Sequence, residues 1–252
     1  MTSRTLLPLA IALLVAWPGH AEAGNTLDGK ALQSYINSVM EAYGGAKAVT
    51  KQKTHRIEGV VEAHIRGDKG EFRRDSSAPD SMRVVLTYPT RSEVRILAGT
   101  KGWRGDATTQ KPALGMPHTA MMYQMIRSSA PWFMRDCRKR LKHGATIVDK
   151  GKTYLAMRLK WSESLIIDFW IEDQSRRLVK VQGILIAHGA KMVFETQYSD
   201  FRKVDGVLVP HTEKSIVRDK HTGTTRVTSV DFAPKDLGPF EPKTLSPEPL
   251  SK

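Results

Sequence analysis

The second half of the chain is a close succession of strand-length segments. Alternating or apolar runs at 145–149, 153–161, 165–172, 177–187, 191–199, 207–218 and 224–232 are separated by Lys150-Gly151, Glu172 to Ser175, His188-Gly189, Asp205-Gly206 and Thr222-Gly223. Short hairpin turns at such regular spacing are the signature of an up-and-down antiparallel sheet or barrel. The same period of two opens earlier. Ile57, Gly59, Val61, Ala63 and Ile65 alternate with Glu58, Glu62 and His64, and Gly67 to Gly70 form a turn. Glu71 to Arg74, Ser81 to Tyr88 and Ser92 to Leu97 read as further strands. Pro79, Pro89 and a loop from Gly99 to Gly105 punctuate them.

Two segments break this pattern with a helical one. Leu32, Tyr35, Ile36, Val39, Met40 and Tyr43 form one apolar stripe, which predicts a helix of about four turns stopped by Gly44-Gly45. A short helical turn is expected through Ala46 to Val49. In 112–143, Pro117 suits a first helical turn, and Met121, Met122, Met125 and Ile126 form a stripe. Pro131 ends or kinks that helix, and Trp132, Phe133 and Met134 begin a second. Arg135, Arg138, Lys139, Arg140 and Lys142 suit a helix C-terminus, and Gly144 follows as a stop. Five of the ten methionines lie in this segment. Methionine is flexible and polarizable, so it serves either as core or as a surface that accepts varied apolar shapes.

The ends carry different signals. Arg4, the apolar run Leu6 to Trp17, Pro18-Gly19 and Ala21-Glu22-Ala23 predict a cleavable secretory signal over 1–23. That run is too short to span a bilayer, which needs roughly 20 apolar residues. A single domain is expected over 24–232, followed by a proline-rich extended or disordered tail over 233–252. An exported chain without a disulfide fits a bacterial periplasm. The only cysteine, Cys137, excludes an intramolecular disulfide, a CxxC redox centre and a cysteine-rich zinc site. The formal charge of +13 favours an anionic partner. Nucleic acid is not expected, because the basic residues are not interleaved with aromatics and the chain is exported.

Catalytic patterns are missing. The chain has no GxSxG, no HExxH and no phosphate-binding glycine loop. Glu62 and His64 share a strand face, but two ligands are too few for a metal, and a surface ion pair is the expected role. Asp168 is expected to pair across the sheet with Lys180 or Arg158, and Cys137 to be a half-buried inert thiol. No enzyme activity, metal or cofactor is expected. Strands 165–171 and 177–186 are apolar on both faces, which fits either a buried central strand or the wall of a cavity.

Three stretches resemble the LolA/LolB-like family of periplasmic lipoprotein carriers. One is the exported helix running into Tyr43-Gly44-Gly45 and a strand containing Gly59. Another is Pro79, Arg83-Val84 and Pro89, followed by Gly99-Thr100-Lys101-Gly102-Trp103, where the family has Asp before Gly-Lys. The last is the hairpin Tyr198 to Pro210, with Asp200, Arg202, Asp205-Gly206 and Val207. The resemblance implies an α+β fold: a half-open, strongly curved antiparallel sheet of about ten or eleven strands with a helical lid over its concave face. It implies a cavity for the acyl chains of a lipid or lipoprotein. Candidate lining and lid residues are Val61, Trp103, Met121, Met122, Met125, Ile126, Trp132, Phe133, Phe169 and Phe194. It also implies that Arg83 latches the lid, since an arginine fork can satisfy several carbonyls at once. Arg135, Arg138, Lys139, Arg140 and Lys142 are candidates for docking to an anionic membrane or to an inner-membrane transporter. The protein is expected to be a monomer. A protein-interaction or stress-sensing module without lipid cargo is the alternative.

Overall fold

The computed structural model describes residues 26–187 and 189–242. The expected signal segment and the end of the tail lie outside the described residues. Two helices come first, α1 (Gly29–Ala42) and α2 (Gly45–Lys51). The apolar stripe predicted for α1 is the buried face: Leu32, Tyr35, Ile36, Val39 and Met40 point into the core. Tyr43 follows, with its hydroxyl accepting the Leu178 N–H at 3.1 Å.

Six strands then form a meander: β1 (Thr54–Ala63), β2 (Asp68–Ser77), β3 (Ser81–Tyr88), β4 (Arg91–Ala98), β5 (Lys101–Gly105) and β6 (Gln110–Pro112). Helices α3 (Met116–Ser128) and α4 (Ala130–Asp136) interrupt it, each with a proline in its first turn. Seven strands complete the chain: β7 (Lys142–Asp149), β8 (Lys152–Ser162), β9 (Leu165–Glu172), β10 (Arg177–Ala187), β11 (Ala190–Val204), β12 (Val207–Val217) and β13 (Lys220–Asp231). All thirteen pair antiparallel in one sheet, ordered β6-β5-β4-β3-β2-β1-β13-β12-β11-β10-β9-β8-β7. Consecutive strands pair throughout, apart from β6 and β7, and β1 joins β13 and so fuses the two meanders. The sheet ends on β6 and on β7, so the barrel is not closed.

The strand count exceeds the expectation by β5 and β6. Lys101 to Gly105 looked like loop because glycines hold two of its five positions. Gly102 is glycine because α3 lies against it: a Cβ there would sit 2.6 Å from the Met121 methyl carbon. The local sequence records tertiary packing in place of strand propensity.

Helix α3 packs on β4 and β5 at one side and on β9 and β10 at the other. Those strand pairs are near opposite ends of the sheet order, so the sheet must curl for one helix to reach both. The concave faces of β8 and β9 meet α1, α3 and α4 in a filled core. Phe133, Met134, Met157, Leu159, Ile167 and Phe169 are fully buried there. Gly183 on β10 is a second close approach, since a Cβ would lie 2.4 Å from the Tyr123 ring. That ring is pinned by its hydroxyl, which donates to the Val181 carbonyl at 3.0 Å. Gly183→Val should therefore displace α3 and cost roughly 1–3 kcal/mol, typical of overpacking a core. Urea unfolding of the variant, with Gly102→Ala as the milder companion, measures it.

Candidate functional site

On the β1–β5 side the concave face is not filled by α1 and α4. A cavity of about 820 Å³ remains between α3 and the sheet. This is toward the upper end of ordinary ligand pockets, roughly 300–1,000 Å³. Its apolar wall comes from alternate residues of three neighbouring strands: Val61 of β1, Phe72 of β2, and Val84 and Leu86 of β3. Met116, Ala120 and Met121 of α3 face them, and Phe194 of β11 adds to the wall.

The floor of this cavity is ionic. Arg74 of β2 meets Glu213 of β12 through both terminal nitrogens, at 2.9 and 3.3 Å. Arg127 of α3 donates to the same carboxylate at 2.7 Å. Arg74 and Glu213 are almost wholly buried. Burial pushes the Glu213 carboxyl up, but Arg74 and Arg127 outweigh burial and bring it down to about 2. Two cations thus share one anion, and the buried Arg74 Nε–H has no partner among the described residues. Two tyrosines close the floor. Tyr198 donates to the Arg127 carbonyl at 2.8 Å, and the Tyr123 hydroxyl lies 3.2 Å from Thr196 Oγ1. Burial pushes the Tyr123 phenol up to about 12. Behind the floor lies a smaller cavity of about 40 Å³, bordered by the same three charged residues and by His55. His55 is buried neutral: burial and the neighbouring Arg74 lower its pKa to about 4.

The candidate residues separate into distinct places. Val61, Met121 and Phe194 line the large cavity. Met125, Ile126, Trp132, Phe133 and Phe169 do not; they are buried in the filled core, with Trp132 and Phe133 stacked edge to face at 5.0 Å. Of the strand faces that fitted either a core or a cavity wall, the one with Ile167, Phe169, Ile171, Val181 and Leu185 is core, while Ile166, Trp170 and Ile184 on the other are partly buried. Met122 packs at the margin of that core, partly buried. Trp103 alternates with Gly102, which faces α3, and so lies on the opposite face of β5.

Arg83 is not placed to latch the helices. It alternates with Met82 and Val84, which face the core, so it lies on the far side of the sheet. There it donates to the Glu241 carbonyl at 2.7 Å. Arg56, likewise on that side, donates to the Asp236 carbonyl. Residues 233–242, without helix or strand, are held there by these two arginines. Arg127, missed in the sequence, ties α3 to the sheet through Glu213.

The basic cluster is divided too. α4 ends at Asp136, so most of the cations follow the helix. Arg135 donates to the Ala46 carbonyl, and Arg140 to the Lys160 carbonyl, with its guanidinium 5.4 Å from the Trp161 ring centre. Arg138, Lys139 and Lys142 are exposed. Elsewhere Asp168 pairs with Arg158 at 2.6 Å, while Lys180 pairs with Glu195 at 3.2 Å. Glu62 pairs with Lys69 and Arg226. The Cys137 thiol is buried, and burial raises its pKa.

No protein-family model matches the chain, and no curated protein matches it in sequence. Solved structures do match in fold. A LolA superfamily protein from Nitrosomonas europaea superposes with a TM-score of 0.54 at 12% identity, covering 79% of this chain and 92% of its own. A DUF1329 family protein from Desulfovibrio piger gives 0.50 at 8% identity, covering 79% and 92%. A putative outer membrane lipoprotein-sorting protein domain from Vibrio parahaemolyticus gives 0.47 at 7% identity, covering 79% and 90%. The chain has the LolA-like fold, an open curved antiparallel sheet with helices on its concave side. No helix among the described residues is long and apolar enough to cross a membrane.

The floor makes stability sensitive to acid in two windows. His55 has a folded pKa of about 4, below its ordinary 6.5, so its contribution is full above pH 6.5 and is lost as pH falls to 4. Glu213 has a folded pKa of about 2, below its ordinary 4.5, so its contribution is lost between pH 4.5 and 2. Each group contributes a slope of at most about 1.4 kcal/mol per pH unit. His55→Leu should flatten the upper window of a urea-unfolding pH series. Glu213→Gln should remove the lower one and cost roughly 3–5 kcal/mol at neutral pH, because two buried guanidiniums lose their carboxylate.

Proposed function

We propose that this protein is a periplasmic carrier that holds the acyl chains of a lipid or lipoprotein in the cavity beneath α3, for delivery toward the outer membrane. The observation that carries this reading is an open cavity of about 820 Å³, with an apolar wall, left between a helix and the sheet. Each buried methylene contributes roughly 0.8 kcal/mol, so such a site gains affinity from apolar area with few polar contacts. The LolA-like fold and the expected signal segment support the same reading. Arg138, Lys139 and Lys142 offer an exposed cationic surface for an anionic leaflet or a membrane transporter, at roughly 1 kcal/mol per cation near such a surface.

The test is to export the full chain to a Gram-negative periplasm, purify it without detergent, and combine native mass spectrometry with lipid extraction. Near-stoichiometric lipid or acylated protein is expected. Leu86→Asp with Phe194→Asp, both partly buried on the cavity wall, should lower occupancy about tenfold, since a carboxylate is costly to bury beside an acyl chain. The circular dichroism of the sheet should be unchanged. Retention of lipid by this variant would remove the cavity from the mechanism. A ligand-free mass that persists after incubation with membranes would overturn the carrier reading in favour of an envelope protein-interaction module.

A further inference from the structure

The flank of the large cavity carries an arginine pair with more charge than its neighbours neutralise. Arg95 of β4 and Arg104 of β5 are directly opposite in the ladder, on the face turned toward the cavity. Like charges directly opposed across two strands are destabilising. Nearby carboxylates do not balance them. Glu93 accepts from Arg95 at 2.8 Å, but Arg91 claims the same carboxylate as well as Asp68. The exposed Arg104 side chain forms no ion pair or hydrogen bond among the described residues. Arg95 also reaches Gln124 of α3, donating to its side-chain oxygen at 3.4 Å and leaving the amide N–H groups uncommitted on the cavity side. Of the other glutamates at the cavity, Glu195 is paired with Lys180, and Glu62 with Lys69 and Arg226. The floor adds a second excess, two guanidiniums on one buried carboxylate with one N–H unpartnered.

We infer that the ligand is an anionic amphiphile. Its carboxylate or phosphate lies between Arg95, Arg104 and the Gln124 amide, and its apolar chain runs over Leu86, Phe72 and Val61. A guanidinium fork matches either acid through two parallel N–H bonds. Binding an anion there converts the opposed arginines from a repulsive pair into a shared clamp. This rests on the cavity being an amphiphile site and adds the chemical class of the headgroup.

Arg104→Gln is the informative variant, because Arg104 has no carboxylate that its loss would strand. A structural role for Arg104 predicts a loss of stability on substitution. A role in anion binding predicts unchanged or slightly higher stability together with a weaker ligand. Delipidated full-length protein is titrated calorimetrically with palmitate, with palmitoyl lysophosphatidate and with neutral monopalmitoylglycerol. At least one acid should bind about tenfold tighter than the neutral lipid, the size of one charge-assisted hydrogen bond. Arg104→Gln should bring that acid to the level of the neutral lipid and leave the neutral lipid unchanged. The tighter acid identifies the headgroup as carboxylate or phosphate. Equal binding of all three by the unsubstituted protein overturns the headgroup assignment and leaves the carrier reading standing. Binding of none overturns both.

Discussion

The ion pair between Arg74 and Glu213 exists only because the sheet is curled. β2 and β12 are not neighbours; β1 and β13 run between them. In a flat sheet, three strand spacings would hold their backbones about 14 Å apart. Their side chains nevertheless meet at 2.9 Å, inside the concavity. Arg127 joins the same carboxylate from α3, so one acid on β12 ties in a strand and a helix whose arginines are 139 and 86 residues from it in the chain. A buried ion cluster adds little net stability over a well-packed apolar one, but losing one member is costly. Its value here is positional. It sets where α3 lies over the sheet, and thereby the depth of the cavity that α3 covers.

The concave face is divided by that cluster into a filled part and an open part. On β8 and β9 the apolar side chains pack with those of α1, α3 and α4 into one buried cluster. On β1 to β5, with β11 to β13 at the far wall, α3 alone provides cover, and cavity remains. The difference follows from what each helix brings. α4 contributes Trp132, Phe133 and Met134, all fully packed. The part of α3 over the open side contributes Met116 and Ala120, only partly buried, and the exposed Pro117. The aromatic residues that resembled a lid are therefore the filling of the core, and the smaller residues before them make the cavity wall.

Much of this was legible in the sequence, for specific reasons. The seven later strands appear near the expected positions because their turns are short and marked by glycine or by residues in left-handed geometry, such as Asp205-Gly206, although the last turn is Arg218-Asp219 and the expected Thr222-Gly223 lies inside β13. α1 is legible because its apolar stripe is its buried face. β5 was illegible because Gly102 answers to Met121, a contact between separate elements. Arg83 and Trp103 were misplaced for a related reason. Alternation groups residues by face, but it does not say which face is concave. The site's ionic floor did leave a trace. Arg74 follows Phe72 in the apolar phase of β2, and Glu213 follows Val207 and Val209 in the apolar phase of β12. A charge in the buried phase of a strand needs an opposite charge to meet it. That rule names both partners, though not that they face one another.

The two ends of α3 do different work. Its C-terminal half is anchored: Met125 and Ile126 are fully buried, Tyr123 and Arg127 are bonded to the sheet, and Tyr198 holds the last turn. Its first turn packs on β5 and the core through His118 and Met116 but makes no hydrogen bond to the sheet among the described residues. Gly115 precedes it with a positive φ, Leu114 before that is 78% exposed, and Pro117 supplies no N–H. Local openings begin where buried contacts and hydrogen bonds are fewest. That place is the flank bordered by Arg95, Arg104 and Met116. On the proposed reading, an amphiphile engaging the arginine pair would displace the first turn of α3 while the ionic floor stays intact. Closure does not depend on ligand, because the charges that seat the helix are supplied by the protein itself. Under the proposed function, the apolar wall would supply affinity and the arginine pair selectivity.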